Sequence, residues 1–376
     1  MLESVLRSLA SLTLVSVSLT ACAVHTSADA SGSQGTGGSG GDATTSSGGT
    51  GGDISSSTSS TGAGAGGGGF EACASSSQDA ARIPVSMFIT VDKSGSMAEG
   101  GKWGHAKTAF QSFFKDPGAA RLNVALRLFP RGECSAPACS VAACSEPDVG
   151  LGALSDPAQV EALVDELASV TPSGKTPMST ALNGATKWAV ARAAAVGTTE
   201  KVVVVLVGDG DPHGCNNDVD TIAASAKKAY DAAGVLTFAI GLAGSNQATM
   251  NQIAAAGGTG HGYFIGSDNT AAGLLSALHT IETESMSCAY AMPEAAPGDV
   301  LDPTRVNVTL LSSDATTPEA LGQVNDAASC GTAGGWYYDD PQKPASIQLC
   351  PGTCASVKKD ADAKVQIVLG CATQVK

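Results

Sequence analysis

From about Ile83 to Met286 the chain alternates short apolar runs with longer amphipathic stretches. This alternation restricts its fold more than any other feature of its 376 residues. Val85 to Val91 is almost continuously apolar and ends at Asp92, and Val202 to Val207 reads VVVVLV. Runs of this kind suit strands buried on both faces, as in parallel sheets covered by helices. Leu122 to Phe129, Val235 to Leu242 and Tyr263 to Ile265 are expected as further strands, the first near an edge because its residues alternate. Trp103, Ala106, Phe110 and Phe113 fall at helical spacing. Asp156-Pro157 supplies an N-cap and a first helical residue for a helix whose face is Val160, Leu163, Val164 and Leu167. More helices are expected from Met178 through Leu182, Ala185 and Trp188, at Ile222, Ala226 and Tyr230, at Met250 and Ile253, and at Leu274, Leu278 and Ile281. The order predicts an α/β, three-layer, Rossmann-like domain with a mainly parallel central sheet.

Both flanks differ from this centre. Leu2 to Thr20 is mostly apolar, too short and Ser-rich for a spanning helix, and runs into small residues of the kind a signal peptidase accepts. Its end, Leu19-Thr20-Ala21-Cys22, resembles a bacterial lipobox. That resemblance implies a signal peptide over 1–21, a lipidated Cys22 and an exported, lipid-anchored protein of the cell envelope. Ala23, in place of Asp, favours the outer membrane and the cell surface by the same resemblance. Residues 22–72 are nearly all Gly, Ser, Thr and Ala, which cannot bury enough apolar area to offset ordering, so a disordered tether is expected. As a flexible coil of ~50 residues it would span on the order of 40 Å. After Cys288 helical periodicity disappears. Short β-type runs appear at Val306 to Leu311, Trp336 to Tyr338, Ile347 to Leu349 and Val365 to Leu369. Residues 289–376 are expected to form a small β-rich region stapled by Cys330, Cys350, Cys354 and Cys371.

The chemistry converges on one edge of the sheet. Asp92-Lys93-Ser94-Gly95-Ser96 sits at the carboxyl end of the first buried strand, where open parallel sheets bind ligands. One carboxylate and two hydroxyls on a tight turn offer the oxygen ligands that hard cations prefer. Asp209 ends the VVVVLV strand in Gly208-Asp209-Gly210, and Thr176 lies in a loop between two helices. In this order and context the residues resemble the metal-ion-dependent adhesion site of von Willebrand factor A (vWA) domains, over roughly residues 84 to 286. The vWA domain is placed at 73–288. The resemblance implies that Ser94 and Ser96 coordinate the metal directly and Thr176 directly or through water. Asp92 and Asp209 would mainly hold waters and orient the hydroxyls. It implies Mg²⁺, or Ca²⁺ or Mn²⁺, with one position open to an acidic side chain of a protein ligand. Three residues depart from the pattern or crowd it: Gly208, where relatives often carry Thr, Asp211, and Lys175 beside the threonine.

Eleven cysteines less Cys22 leave ten, an even number that suits an oxidising compartment. Cys134, Cys139, Cys144 and Cys215 could form a four-thiolate zinc site or two disulfides, and export favours disulfides. Cys73 and Cys288 flank the domain, and a bond between them would close its ends. A formal charge of −14 disfavours nucleic acid and anionic lipid, leaving the lipid anchor as the only membrane contact. Gly174-Lys175-Thr176 follows a helix and precedes Pro177, which excludes a phosphate-binding loop and nucleotide. His213 reads as a surface loop residue, and Asn307-Val308-Thr309 as a glycosylation match without a role. No general base stands beside a nucleophile, so a binding protein is expected rather than an enzyme. The alternative is a structural envelope or matrix component, in which the metal only braces loops and the C-terminal region makes contact through exposed Trp336, Tyr337 and Tyr338. Those aromatics also suit the core of a small domain.

Overall fold

The computed structural model describes residues 76–293, 301–332, 334–360 and 363–376. The expected leader, Cys22, the 22–72 segment and Cys73 lie outside the described residues. The elements run β1 (Ser76–Asp79), β2 (Val85–Asp92), α1 (Lys102–Phe114), β3 (Leu122–Phe129), α2 (Val141–Cys144), β4 (Val149–Ala153), α3 (Pro157–Ser169) and α4 (Met178–Val196). There follow β5 (Lys201–Gly208), α5 (Val219–Ala233), β6 (Leu236–Gly241), α6 (Gln247–Ala256), β7 (Tyr263–Phe264) and α7 (Thr270–Ser285). The C-terminal part holds β8 (Ala289–Ala291), β9 (Val306–Leu311), β10 (Glu319–Leu321), β11 (Trp336–Tyr338), β12 (Ser346–Leu349), α8 (Pro351–Lys359) and β13 (Lys364–Leu369).

The central sheet has the order β4-β3-β2-β5-β6-β7 and is parallel except for β4, which runs antiparallel to β3. Every residue of β2 is buried, as its unbroken apolar run requires. Val85, Met87, Ile89 and Val91 pack on one side with Phe110 and Phe113 of α1, Leu163 of α3 and Leu278 of α7. Phe88 faces the other side, with Leu182 of α4, Ile222 of α5 and Ile253 of α6. Two apolar layers therefore clamp the sheet, each fully buried Phe or Leu contributing roughly 1.5–3 kcal/mol by its removal from water. The expected helix start at Asp156-Pro157 is present, with the Asp156 carboxylate accepting from Ala158 N at 3.0 Å. Tyr230, expected on the inner face of α5, is 43 % exposed.

The C-terminal region contains the four expected strands but two features differ from expectation. Pro351–Lys359 is a helix, opened by proline at its first turn. Moreover, β1 pairs antiparallel with β13, giving a sheet of order β1-β13-β9-β10, so this sheet takes a strand from ahead of the central sheet. A second sheet, β11-β12-β8, carries the aromatics. Trp336 is fully buried, Tyr338 is 7 % exposed, and only Tyr337 between them is half-buried, so they are core rather than a contact surface. Two disulfides staple the region, Cys288–Cys354 and Cys330–Cys350, and Cys371 is also disulfide-bonded. Cys288 is therefore not joined to Cys73: β12 lies beside β8, which brings the start of α8 next to Cys288.

Candidate metal centre

The chain passes from β2 to β3 on one side and returns to place β5 on the other, so β2 and β5 flank a switch point of the sheet. Asp92 is the last residue of β2 and Asp209 immediately follows β5, which sets both carboxylates at the carboxyl edge of that crevice. Asp92 is fully buried, Ser94 and Asp209 are each 2 % exposed, and Thr176 is 6 % exposed. Ser96 is half-buried and is the second residue of a 3-10 segment at Gly95–Gly101.

Main-chain bonds hold three loops together. Lys93 N donates to Phe129 O at 2.6 Å, Ser173 N to Lys93 O at 2.7 Å, and Gly95 N to Gly174 O at 3.0 Å. Gly174 has φ +90, and a side chain there would collide with Pro130, so the turn presenting Thr176 needs glycine. His213 N then donates to Thr176 O at 2.8 Å, pinning the threonine from the loop after β5. The His213 side chain is exposed, as expected. Two disulfides brace the same loops, Cys134–Cys144 and Cys139–Cys215, the second joining the loop after β3 to the loop after β5. The four-thiolate zinc alternative is thereby excluded.

The side chains converge on oxygen. Ser94 N donates to Asp92 Oδ1 at 2.7 Å, Ser94 Oγ and Ser96 Oγ lie 3.0 Å apart, and Ser96 Oγ donates to Asp209 Oδ1 at 2.8 Å. Ser96 Oγ and Thr176 Oγ1 each lie 3.7 Å from the point where a Cβ on Gly210 would sit, so the two hydroxyls flank one position. The structure thus brings together all five residues read from the sequence. Asp211 is exposed and joins none of these bonds among the described residues, and Lys175 is exposed beside Gly214.

Two features were not foreseen. Asp92 Oδ2 is buried without a hydrogen-bond partner among the described residues. Burial pushes the Asp92 carboxyl up to about 7, the bonds from Ser94 opposing this and the nearby Asp209 adding to it. Gly208 lies alongside: a Cβ there would be 3.5 Å from Asp92 Oδ2. A threonine at that position would bring a hydroxyl near the orphaned oxygen, so the glycine and the orphan are one departure. The second feature is Lys102, whose Nζ pairs with Asp209 Oδ2 and donates to Ala243 O at 3.3 Å. Nothing in the sequence singles out this lysine, which reads as an ordinary charged residue opening α1.

The donor set suits a hard divalent cation. Its atoms are carboxylate and hydroxyl oxygens, with neither imidazole nor thiolate among them, and one buried acceptor awaits a donor that a cation-bound water could supply. The fit to such an ion is chemically coherent.

Comparison with known proteins bears on the fold. No curated protein matches the chain. Among solved structures it is similar to the pilus adhesin SpaC from Lactobacillus rhamnosus GG, at 16% identity and a TM-score of 0.43, covering 76% of this chain and 39% of that one. It is also similar to a von Willebrand factor type A protein from Catenulispora acidiphila, at 14% identity and 0.40, covering 80% and 60%. A third similarity is to the vWF domain of the type V pili tip protein Mfa5 from Porphyromonas gingivalis, at 14% identity and 0.39, covering 58% and 100%. The chain spans about two fifths of the length of the first of these. The family model of the von Willebrand factor type A domain matches residues 87–280, just over half of the chain, which belongs to that family.

Proposed function

We propose that this chain is a lipid-anchored protein of the cell surface whose vWA domain captures a protein ligand through a divalent cation. Ser94, Ser96 and Thr176 would hold the ion, with Asp92 and Asp209 orienting hydroxyls and waters. The ion would be Mg²⁺, or Ca²⁺ or Mn²⁺. When bound it supplies an electrophilic centre that an acidic side chain of the ligand can join. The observation that carries the reading is the convergence of five oxygen-bearing side chains at the switch point, around a buried carboxylate oxygen with no partner. The hydroxyl-rich set leaves much of the ion's charge unneutralised, which favours an incoming carboxylate. The role is binding, not catalysis. Anchoring would act through Cys22, with residues 22–72 as the spacer; among the described residues no helix is long and apolar enough to cross a membrane.

Lys102 sharpens the test, because it already supplies a positive partner for Asp209. A divalent ion must weaken or displace that pair, so Lys102 and the ion compete for one carboxylate. Calorimetric titration of the chain with Mg²⁺, Ca²⁺ and Mn²⁺ should give one site in the wild type and none in Ser96→Ala or Asp209→Ala. Lys102→Met should bind about tenfold more tightly, since a competing charge–charge contact is worth on the order of 1–2 kcal/mol at a partly buried site. Equal heats from wild type and Ser96→Ala would remove the site.

A further inference from the structure

A cavity of about 300 Å³ opens at the opposite end of the vWA domain, where the amino ends of β2 and β3 and the end of α7 meet the C-terminal sheets. Arg82, Arg121 and Lys364 line it. Among the described residues none of the three forms an ion pair, although the chain carries 35 acidic residues against 21 basic ones. Arg82 directs one N–H at the Met286 sulfur at 3.5 Å, a weak acceptor for a guanidinium. Tyr290 also lines the cavity. It is 1 % exposed, and its hydroxyl is buried without a full hydrogen bond among the described residues. Arg82 and Arg121 both oppose the upward push of burial on its pKa, Arg82 by its charge and by a side-chain approach that falls short of full hydrogen-bond geometry, Arg121 by charge alone.

Two carboxylates share the lining, and each is engaged elsewhere. Glu282 Oε2 pairs with His279 Nδ1 at 3.2 Å, and Asp79 Oδ1 accepts from Gln366 Nε2 at 3.0 Å. Beyond the wall, burial pushes the Lys358 ammonium of α8 down, with Glu284 opposing this and Arg82 adding to it, and Lys201 at the start of β5 is pushed down to about 8 by burial and by Lys358. The buried Tyr290 hydroxyl is costly to retain unless something completes it, and half-buried Arg82 and exposed Arg121 stand beside it with no carboxylate partner among the described residues. Apart from Ser287 the rest of the wall is apolar, with Ile83, Val85, Leu122 and Met286. An apolar cavity with a few convergent polar groups is the usual form of a small-molecule site, and guanidinium forks match the planar oxygens of an acid head group.

We infer that this basal cavity is a second binding site, for a small organic anion with an apolar body and one acidic head held by Arg82, Arg121 and the Tyr290 hydroxyl. The site stands apart from the cation centre and does not depend on it.

The test uses the full chain in EDTA, which keeps the cation centre out of the measurement. The fluorescent probe 8-anilinonaphthalene-1-sulfonate is titrated and then displaced with octanoate, octan-1-ol or octylammonium. The expected result is saturable binding at one site per chain, with octanoate displacing the probe about tenfold better than the alcohol or the amine. Arg82→Gln/Arg121→Gln should lose that preference. Tyr290→Phe, which keeps the ring in its core position, should weaken octanoate severalfold. If octanol competes as well as octanoate, the cavity is merely apolar and the inference fails. Unchanged octanoate displacement in the double Arg variant, or no saturable binding by the folded wild type, would also overturn it.

Discussion

At the scale of the residue, Asp92 concentrates the tension in the candidate metal centre. Its carboxyl titrates near 7 in the folded chain against 3.8 ordinarily, so the folded form binds more protons than the unfolded form between those values. In the absence of a cation, stability should therefore fall as pH rises from about 4 to about 7. Gly208→Ser would set a hydroxyl beside the orphaned Oδ2. It should flatten this dependence and add about 1–3 kcal/mol at pH 8. Urea unfolding in EDTA across pH 5 to 8 provides the check, and parallel curves for the two proteins would count against the assignment. The convergence of all five residues of the candidate centre was legible because the sequence places each at a strand end or in a short loop of a recognisable order. Lys102 and the bare Asp92 oxygen were not. Which partner a lysine finds across 107 residues depends on how loops pack, and periodicity carries no record of that.

At the scale of the element, the helices and buried strands were readable from period and capping, and the misses share a cause. β4 is the five-residue edge strand VGLGA, whose two glycines hide any alternation. β1 is SSQD, exposed along its whole length and held by main-chain pairing with β13. Strands fixed by backbone bonds rather than side-chain burial leave little trace in hydropathy. The C-terminal helix was hidden by its short polar sequence. The disulfides brace the loops that sequence periodicity cannot. Cys139–Cys215 closes a separation of 76 residues and Cys134–Cys144 one of 10, so removing the first releases more unfolded-chain entropy. Cys139→Ser/Cys215→Ser should cost about 3–5 kcal/mol and Cys134→Ser/Cys144→Ser about 2–3 kcal/mol. Only the first pair joins the loop that pins Thr176, so it should also weaken cation binding more. Unfolding curves and titrations of both variants test the ranking.

At the scale of the whole molecule, the C-terminal region is part of the frame of the vWA domain. Its first sheet takes β1 from ahead of the central sheet, Arg82 bridges to Tyr290, and Lys358 Nζ donates to Glu284 O at 2.8 Å. Deleting 289–376 should therefore lower the melting temperature by several degrees and expose residues around Ile83 to protease. Cation binding at the far edge should persist. Thermal unfolding and limited proteolysis of the truncated chain decide this; an unchanged melting temperature would make the region an independent appendage. The topology also fixes how the molecule answers a pull. β2 carries Asp92 at its carboxyl end and is joined at its amino end, through residues 80–84, to β1 and the chain ahead of it. On the reading proposed above, a ligand held at one end and a tether at the other would stretch the protein along β2, behind the four β1–β13 register pairs. β2 is zipped to β3 over eight register pairs and to β5 over seven, all lying across the line of tension. Force would load those rungs together in shear rather than peel them one at a time, a geometry suited to gripping under flow.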